Sequence, residues 1–117
     1  MTRPTLDDMF MQIAIVLSKR GTCAKKQVGC VITDEQGHIL STGYNGQPHG
    51  HKHCTKAEPC EAYIDPAKSC YAIHAEQNAL IRCIDIHKAY TIYITDVPCQ
   101  KCRLLLYNTN IKRIVTA

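Results

Sequence analysis

The chain has 117 residues and a formal charge of +4, from 14 Lys and Arg against 10 Asp and Glu, with 45% of its residues hydrophobic. That length suits one domain, residues 1–117, with a core of its own, and no apolar run approaches the roughly 20 residues of a membrane span. The basic residues are scattered, which argues against a nucleic-acid surface and leaves a mild preference for a small anionic ligand.

In residues 5–19, Leu6, Met9, Phe10, Ile13, Ala14 and Leu17 recur at helical spacing behind a capping-box-like Thr5 and Asp8. Gly21 is expected to end this helix in a left-handed conformation. Residues 28–33 and 39–44 are β-branched and apolar runs separated by a turn at 34–37, which predicts a hairpin. Residues 45–69 show no periodicity, and a stretch that long in a compact domain is functional or is held by something, such as a metal. Residues 73–87 are rich in Ala, Leu and Ile on most faces and predict a buried helix whose first turn carries His74 and Glu76. A strand over 91–95, a helix over 98–108 with Pro98 in its first turn, and a strand over 111–116 complete the order. That order predicts an α/β fold, a central mixed sheet flanked by helices, with the later strands parallel.

The eight cysteines sit in a sequence whose first ten residues are interrupted by Arg3, Pro4, Asp7 and Asp8, so no secretory leader is expected. In a reducing, cytoplasmic compartment such cysteines read as metal ligands and small core residues rather than as disulfides. His74-Ala-Glu76 and Pro98-Cys99-Gln-Lys-Cys102 stand out together. Each motif is weak alone, because His-x-Glu arises by chance and Cys-x-x-Cys serves redox, structural and packing roles. Together they begin two helices. The free N–H groups of a helix start stabilise thiolates, and i, i+3 spacing puts both sulfurs on one face.

One histidine and two thiolates fill three corners of a zinc tetrahedron and leave the fourth for water, as in a catalytic site. Two residues apart, His74 and Glu76 diverge on a regular helix and are not equivalent ligands. His74 is therefore assigned to the metal with Cys99 and Cys102, and Glu76 to proton transfer beside an activated water. This combination is the signature of zinc-dependent nucleobase deaminases.

The chain resembles the cytidine and deoxycytidylate deaminase family, most closely its bacterial and phage dCMP deaminases. The likeness covers nearly the whole chain: Thr22-Cys23, Gln27-Val28-Gly29, Gly43-Tyr44-Asn45-Gly46-x-Pro48, His74-Ala-Glu76-x-Asn78-Ala and Pro98-Cys99-x-x-Cys102. It implies a cytidine deaminase-like three-layer α/β/α fold and hydrolysis of a deoxycytidine nucleotide, dCMP before dCTP or deoxycytidine. It also implies Asn45 as a contact to the sugar and Lys25 or Lys26 as a contact to the phosphate, although turn chemistry would equally place an Asn at 45 and either lysine could be solvated. Family enzymes are commonly homohexamers regulated by dCTP and dTTP.

Four further cysteines, Cys23, Cys54, Cys60 and Cys70, suffice for a closed structural zinc site. The resemblance matches Cys23 and Cys54 to a second zinc in some members, pinning the 45–69 segment to the end of the first helix, with His53 able to replace one thiolate. His49 and His51 read as exposed loop residues, and Cys30 as a packed small hydrophobe. Two competing functions share the zinc motif: a tRNA adenosine deaminase, disfavoured by the Gly-Tyr-Asn-Gly-x-Pro loop, and a zinc-stabilised binding module, which has no use for Glu76.

Overall fold

A computed structural model describes residues 2–60, 64–65 and 72–117. The elements in order are α1 (Leu6–Ser18), β1 (Gly29–Thr33), β2 (Ile39–Tyr44), α2 (Ala75–Arg82), a 3-10 helix (Ile86–Lys88), β3 (Thr91–Ile94), α3 (Gln100–Tyr107) and β4 (Arg113–Thr116). The four strands form one mixed sheet in the order β2-β1-β3-β4. β1 is antiparallel to both β2 and β3, whereas β3 and β4 run parallel across the α3 connection.

Strand alternation divides the core into two layers. On one face Val31 and Tyr93 meet Phe10 and Ala14 of α1. On the other, Cys30, Ile32, Ile92 and Ile94 meet Ala75 and Ala79 of α2 and Leu106 of α3. The architecture is the expected three-layer α/β/α arrangement. Outside the core, the Asp7 carboxylate ties α1 to the sheet, accepting from the Tyr93 hydroxyl at 2.6 Å and from Arg113 at 2.8 Å. Those two bonds, the arginine's first, hold the Asp7 carboxyl below the ordinary aspartate range.

Three expectations need correction. Gly21 is not left-handed, since the positive-φ glycines among the described residues are Gly37 and Gly50. Gly21 is required instead by space, because a Cβ there would collide with the Asn45 side-chain oxygen. The predicted helix over 73–87 is shorter and is not buried on most faces. It stops at Cys83, whose ψ of 102° is extended, and Ile81 and Ile84 are exposed at 77% and 94%. An Ala-rich stripe of Ala75, Glu76 and Ala79 is what α2 buries, so its apolar composition overstated its contact with the sheet. Finally, His74 and Cys99 are N-caps rather than helical residues, and Pro98 lies outside α3.

Gly43 sets the distance between α2 and the sheet. A Cβ on it would lie 2.8 Å from the Ala79 nitrogen and closer still to the Ala75 carbonyl oxygen, so any side chain there pushes the helix away. Gly43→Ala is expected to cost about 1–3 kcal/mol in denaturant unfolding through overpacking. Because α2 carries Glu76 and follows His74, activity should fall more than the stability loss alone explains. Unchanged unfolding would mean that α2 shifts freely.

Candidate metal centre and adjoining cavity

Both halves of the site are built where a strand or bridge delivers the chain to a helix start. Before α2, Ile73 and Gly46 exchange two backbone hydrogen bonds, at 2.7 and 3.0 Å, in an isolated antiparallel bridge. This fixes the residue preceding His74. The His74 N–H then donates to the Gln77 side chain at 2.9 Å, the reciprocal half of a capping box. Asn78 Nδ2 donates to the Tyr44 carbonyl at 2.9 Å and fastens the same turn of α2 to the end of β2. On the second half, β3 leads through residues 95–98 to Cys99 at the N-cap of α3, with Cys102 three residues on.

The two helix starts meet. His74 Nδ1 lies 3.3 Å from Cys102 Sγ and 3.6 Å from Cys99 Sγ. The three donor atoms fall within 4.8 Å of one another, the one such group of three or more among the described residues. Cys102 is buried, whereas His74 and Cys99 are exposed. Burial, then the neighbouring Glu76 carboxylate, push the Cys102 thiol far up. An ionised Cys102 therefore needs a cation beside it. One imidazole nitrogen and two sulfurs at this spacing are the borderline-soft donor set that a zinc ion takes, and the fit is to three ligands rather than a closed four.

A cavity of about 250 Å³ adjoins the donors, with His74, Cys99, Glu76, Asn45, Lys25 and Lys26 in its wall. Glu76 is 4% exposed, on the first turn of α2. Asn45 is also buried, and its side chain organises the facing loop: Oδ1 accepts from the Val28 N–H and Nδ2 donates to the Lys26 carbonyl, both at 2.8 Å. One amide proton and one lone pair are left for a ligand. Thus Asn45 both shapes the turn and faces the cavity. Asp96 and Cys23 line the same wall, and neither had been assigned to it. Asp96 forms an ion pair with Lys26. No spacing signal pointed to Asp96, because the pair joins residues 70 positions apart in the chain and arises only when the ends of β1 and β3 align.

The other predicted ligands are only partly assembled. Cys23 and Cys54 line a second depression, and Cys54 Sγ accepts the backbone N–H of Ala24 at 3.4 Å and of Cys60 at 3.2 Å. Cys23, Cys54 and Cys60 do not form a group as tight as the first one. Cys70 lies outside the described residues. His49, His51 and His53 are exposed and line a separate cavity of about 690 Å³ with Arg20 and Arg82.

The family described as the cytidine and deoxycytidylate deaminase zinc-binding region matches residues 4–117. A deoxycytidylate deaminase of Mycobacterium phage D29 is 36% identical over 98% of this chain and 96% of its own length. A probable deoxycytidylate deaminase of Caenorhabditis elegans is 39% identical over 90% of this chain, which spans 53% of that protein. Among solved structures, the dCMP deaminase of cyanophage S-TIM5 in its apo form superposes with a TM-score of 0.76 at 26% identity, covering 98% of this chain and 84% of the other.

Proposed function

The chain belongs to the cytidine and deoxycytidylate deaminase family, and from that premise we propose that it hydrolyses dCMP to dUMP and ammonia as a single domain over residues 1–117. The observation that carries the reading is the convergence of His74, Cys99 and Cys102 beside a buried carboxylate, Glu76, in one cavity wall. A binding module has no need of that carboxylate. The near full-length likeness to the phage D29 deoxycytidylate deaminase supports the choice of dCMP.

His74, Cys99 and Cys102 hold zinc in this reading, and zinc when bound supplies the Lewis acidity that makes water nucleophilic at neutral pH. Glu76 takes a proton from the water that attacks C4 of the base and passes it to ring N3. The same carboxylate then carries the second water proton to the 4-amino group, which leaves as ammonia, so that water and dCMP are consumed in equal number. Burial suits Glu76 to this shuttle, because few solvent protons compete there. Asn45 offers its remaining amide valences to the sugar, and Lys25 and Lys26 offer positive charge to the phosphate.

The finer assignments belong to the same proposal. A second, structural zinc is held by Cys23, Cys54, Cys60 and Cys70, a reading supported by the depression that Cys23 and Cys54 share and by the two backbone N–H groups that orient Cys54 Sγ. The basic cavity of Arg20, Arg82 and three histidines suits dCTP or dTTP as effectors. The exposed Leu104, Leu105 and Tyr107 of α3 suit burial in a homo-oligomer such as a hexamer. No helix of the described residues is long and apolar enough to cross a membrane, and reduced thiolate ligands suit the cytoplasm.

Ammonia release from dCMP, dCTP, deoxycytidine and a tRNA anticodon stem tests the substrate, with dCMP expected to turn over fastest. Turnover of none of the cytosine compounds would sink the reading. Elemental analysis of the same preparation is expected to find two zinc ions per chain, and one ion would remove the structural site.

A further inference from the structure

We infer that Asp96 is an intramolecular stand-in for the substrate's phosphate: its carboxylate occupies Lys26 at the rim of the cavity, and an incoming phosphate must take Lys26 from it. The inference rests on the reading of this cavity as a nucleotide site. It makes Asp96 a residue that sets specificity, not a catalytic one.

Four observations carry it. Lys26 and Asp96 line the same cavity as Glu76 and the metal donors, yet they arrive from opposite sides, one before β1 and the other after β3. They form an ion pair whose side chains are 65% and 36% exposed, which places the contact at the rim, where a ligand can reach it. Each partner is anchored at its root: the Lys26 carbonyl accepts from Asn45 Nδ2 at 2.8 Å, and Asp96 Oδ1 accepts from the Val97 N–H at 2.8 Å. The first fixes the Lys26 backbone and the second the Asp96 carboxylate, so the pair spans the opening from two fixed roots. Finally, the charged groups of the cavity wall balance, Lys25 and Lys26 against Asp96 and Glu76. An anion therefore meets Lys26 already neutralised at close range and must part it from Asp96 to use its charge.

An exposed ion pair is weak enough to exchange. A free anion must displace Asp96 with nothing else in its favour, whereas a nucleotide held by its base and sugar presents its phosphate at high effective concentration. The pair therefore filters ligands. It rejects unanchored phosphate and admits phosphate that comes attached to a nucleoside. A nucleoside without phosphate leaves the pair closed and is indifferent to it.

The test uses Asp96→Asn, Asp96→Glu, Lys26→Met and the Asp96→Asn/Lys26→Met double variant in the zinc-loaded protein. Asparagine keeps an oxygen for the Val97 N–H and replaces the anionic oxygen that faces Lys26 with a neutral NH2 group. Calorimetric titration with inorganic phosphate and with 2-deoxyribose 5-phosphate is expected to show about fivefold tighter binding to Asp96→Asn, the scale of an exposed pair. The gain should vanish in the double variant, and Asp96→Glu should bind like the parent. In turnover, Asp96→Asn should lower KM for dCMP by a similar factor with kcat and deoxycytidine kinetics unchanged. Unaltered phosphate binding in Asp96→Asn, or an equal gain in the double variant, overturns the inference. The phosphate titrations do not depend on deamination, so a parent protein that releases no ammonia from dCMP would count against the proposed function and leave this result to stand on its own.

Discussion

Glu76→Gln is expected to keep the fold and the zinc content and to lower kcat for dCMP by about 10⁴-fold, the upper end of what general acid–base catalysis contributes. The upper end applies because one carboxylate is assigned both proton transfers, to N3 and to the leaving amine, and the amide can perform neither. The side chain is 4% exposed on the first turn of α2, so glutamine fills the same space without a void. Replacing a buried carboxylate with a neutral amide also removes a charge that opposes ionisation of Cys102, so metal affinity should hold or rise. The measurement is single-turnover ammonia release alongside elemental analysis and a thermal melt. Activity within tenfold of the parent, with zinc retained, would show that another group moves the protons. A loss confined to KM would instead make Glu76 a binding residue.

Cys102→Ala has a different expected signature. The variant should lose the catalytic zinc and all detectable turnover, because only His74 and Cys99 remain as donors and both are exposed to competing water. Stability should fall as well. A metal that binds the native state alone stabilises it by an amount set by its concentration relative to Kd, and that contribution disappears with the site. The lost sulfur also leaves a small void at a position 1% exposed, under the start of α3. Cys83→Ala provides the comparison, since Cys83 is also buried but packs in the core at the far end of α2, and it should retain zinc and turnover. Chelation of the parent followed by zinc should restore its activity, whereas the same treatment should not restore Cys102→Ala. Turnover by a zinc-free Cys102→Ala protein would overturn the metal assignment.

The donors were legible in the linear sequence for a local reason. His-x-Glu and Pro-Cys-x-x-Cys each span only a few residues across a helix start, and helix starts favour anionic ligands through backbone groups that belong to those same residues. The element order was legible too, because the 3.6 period of α1 and the β-branched, apolar runs of β1 and β2 are local properties. Along residues 73–87 composition and contact part company, and the helix is shorter than its composition predicts. Ile81 and Ile84 look like core residues by type, yet the narrow buried stripe of α2 is Ala75, Glu76 and Ala79.

What the residues alone determined was the donor set: an imidazole, two cysteine sulfurs and a carboxylate at the spacings of the proposed zinc chemistry. What only the tertiary structure decided was which groups share a wall. Gly43 allows α2 to sit against β2, the Gly46–Ile73 bridge brings the Asn45 turn beside His74, and the pairing of β1 with β3 carries Asp96 to Lys26 across 70 positions of chain. These contacts depend on close packing between distant segments, which leaves no periodic mark in the sequence, and so the candidate metal donors could be read from the chain while the Lys26–Asp96 rim could not.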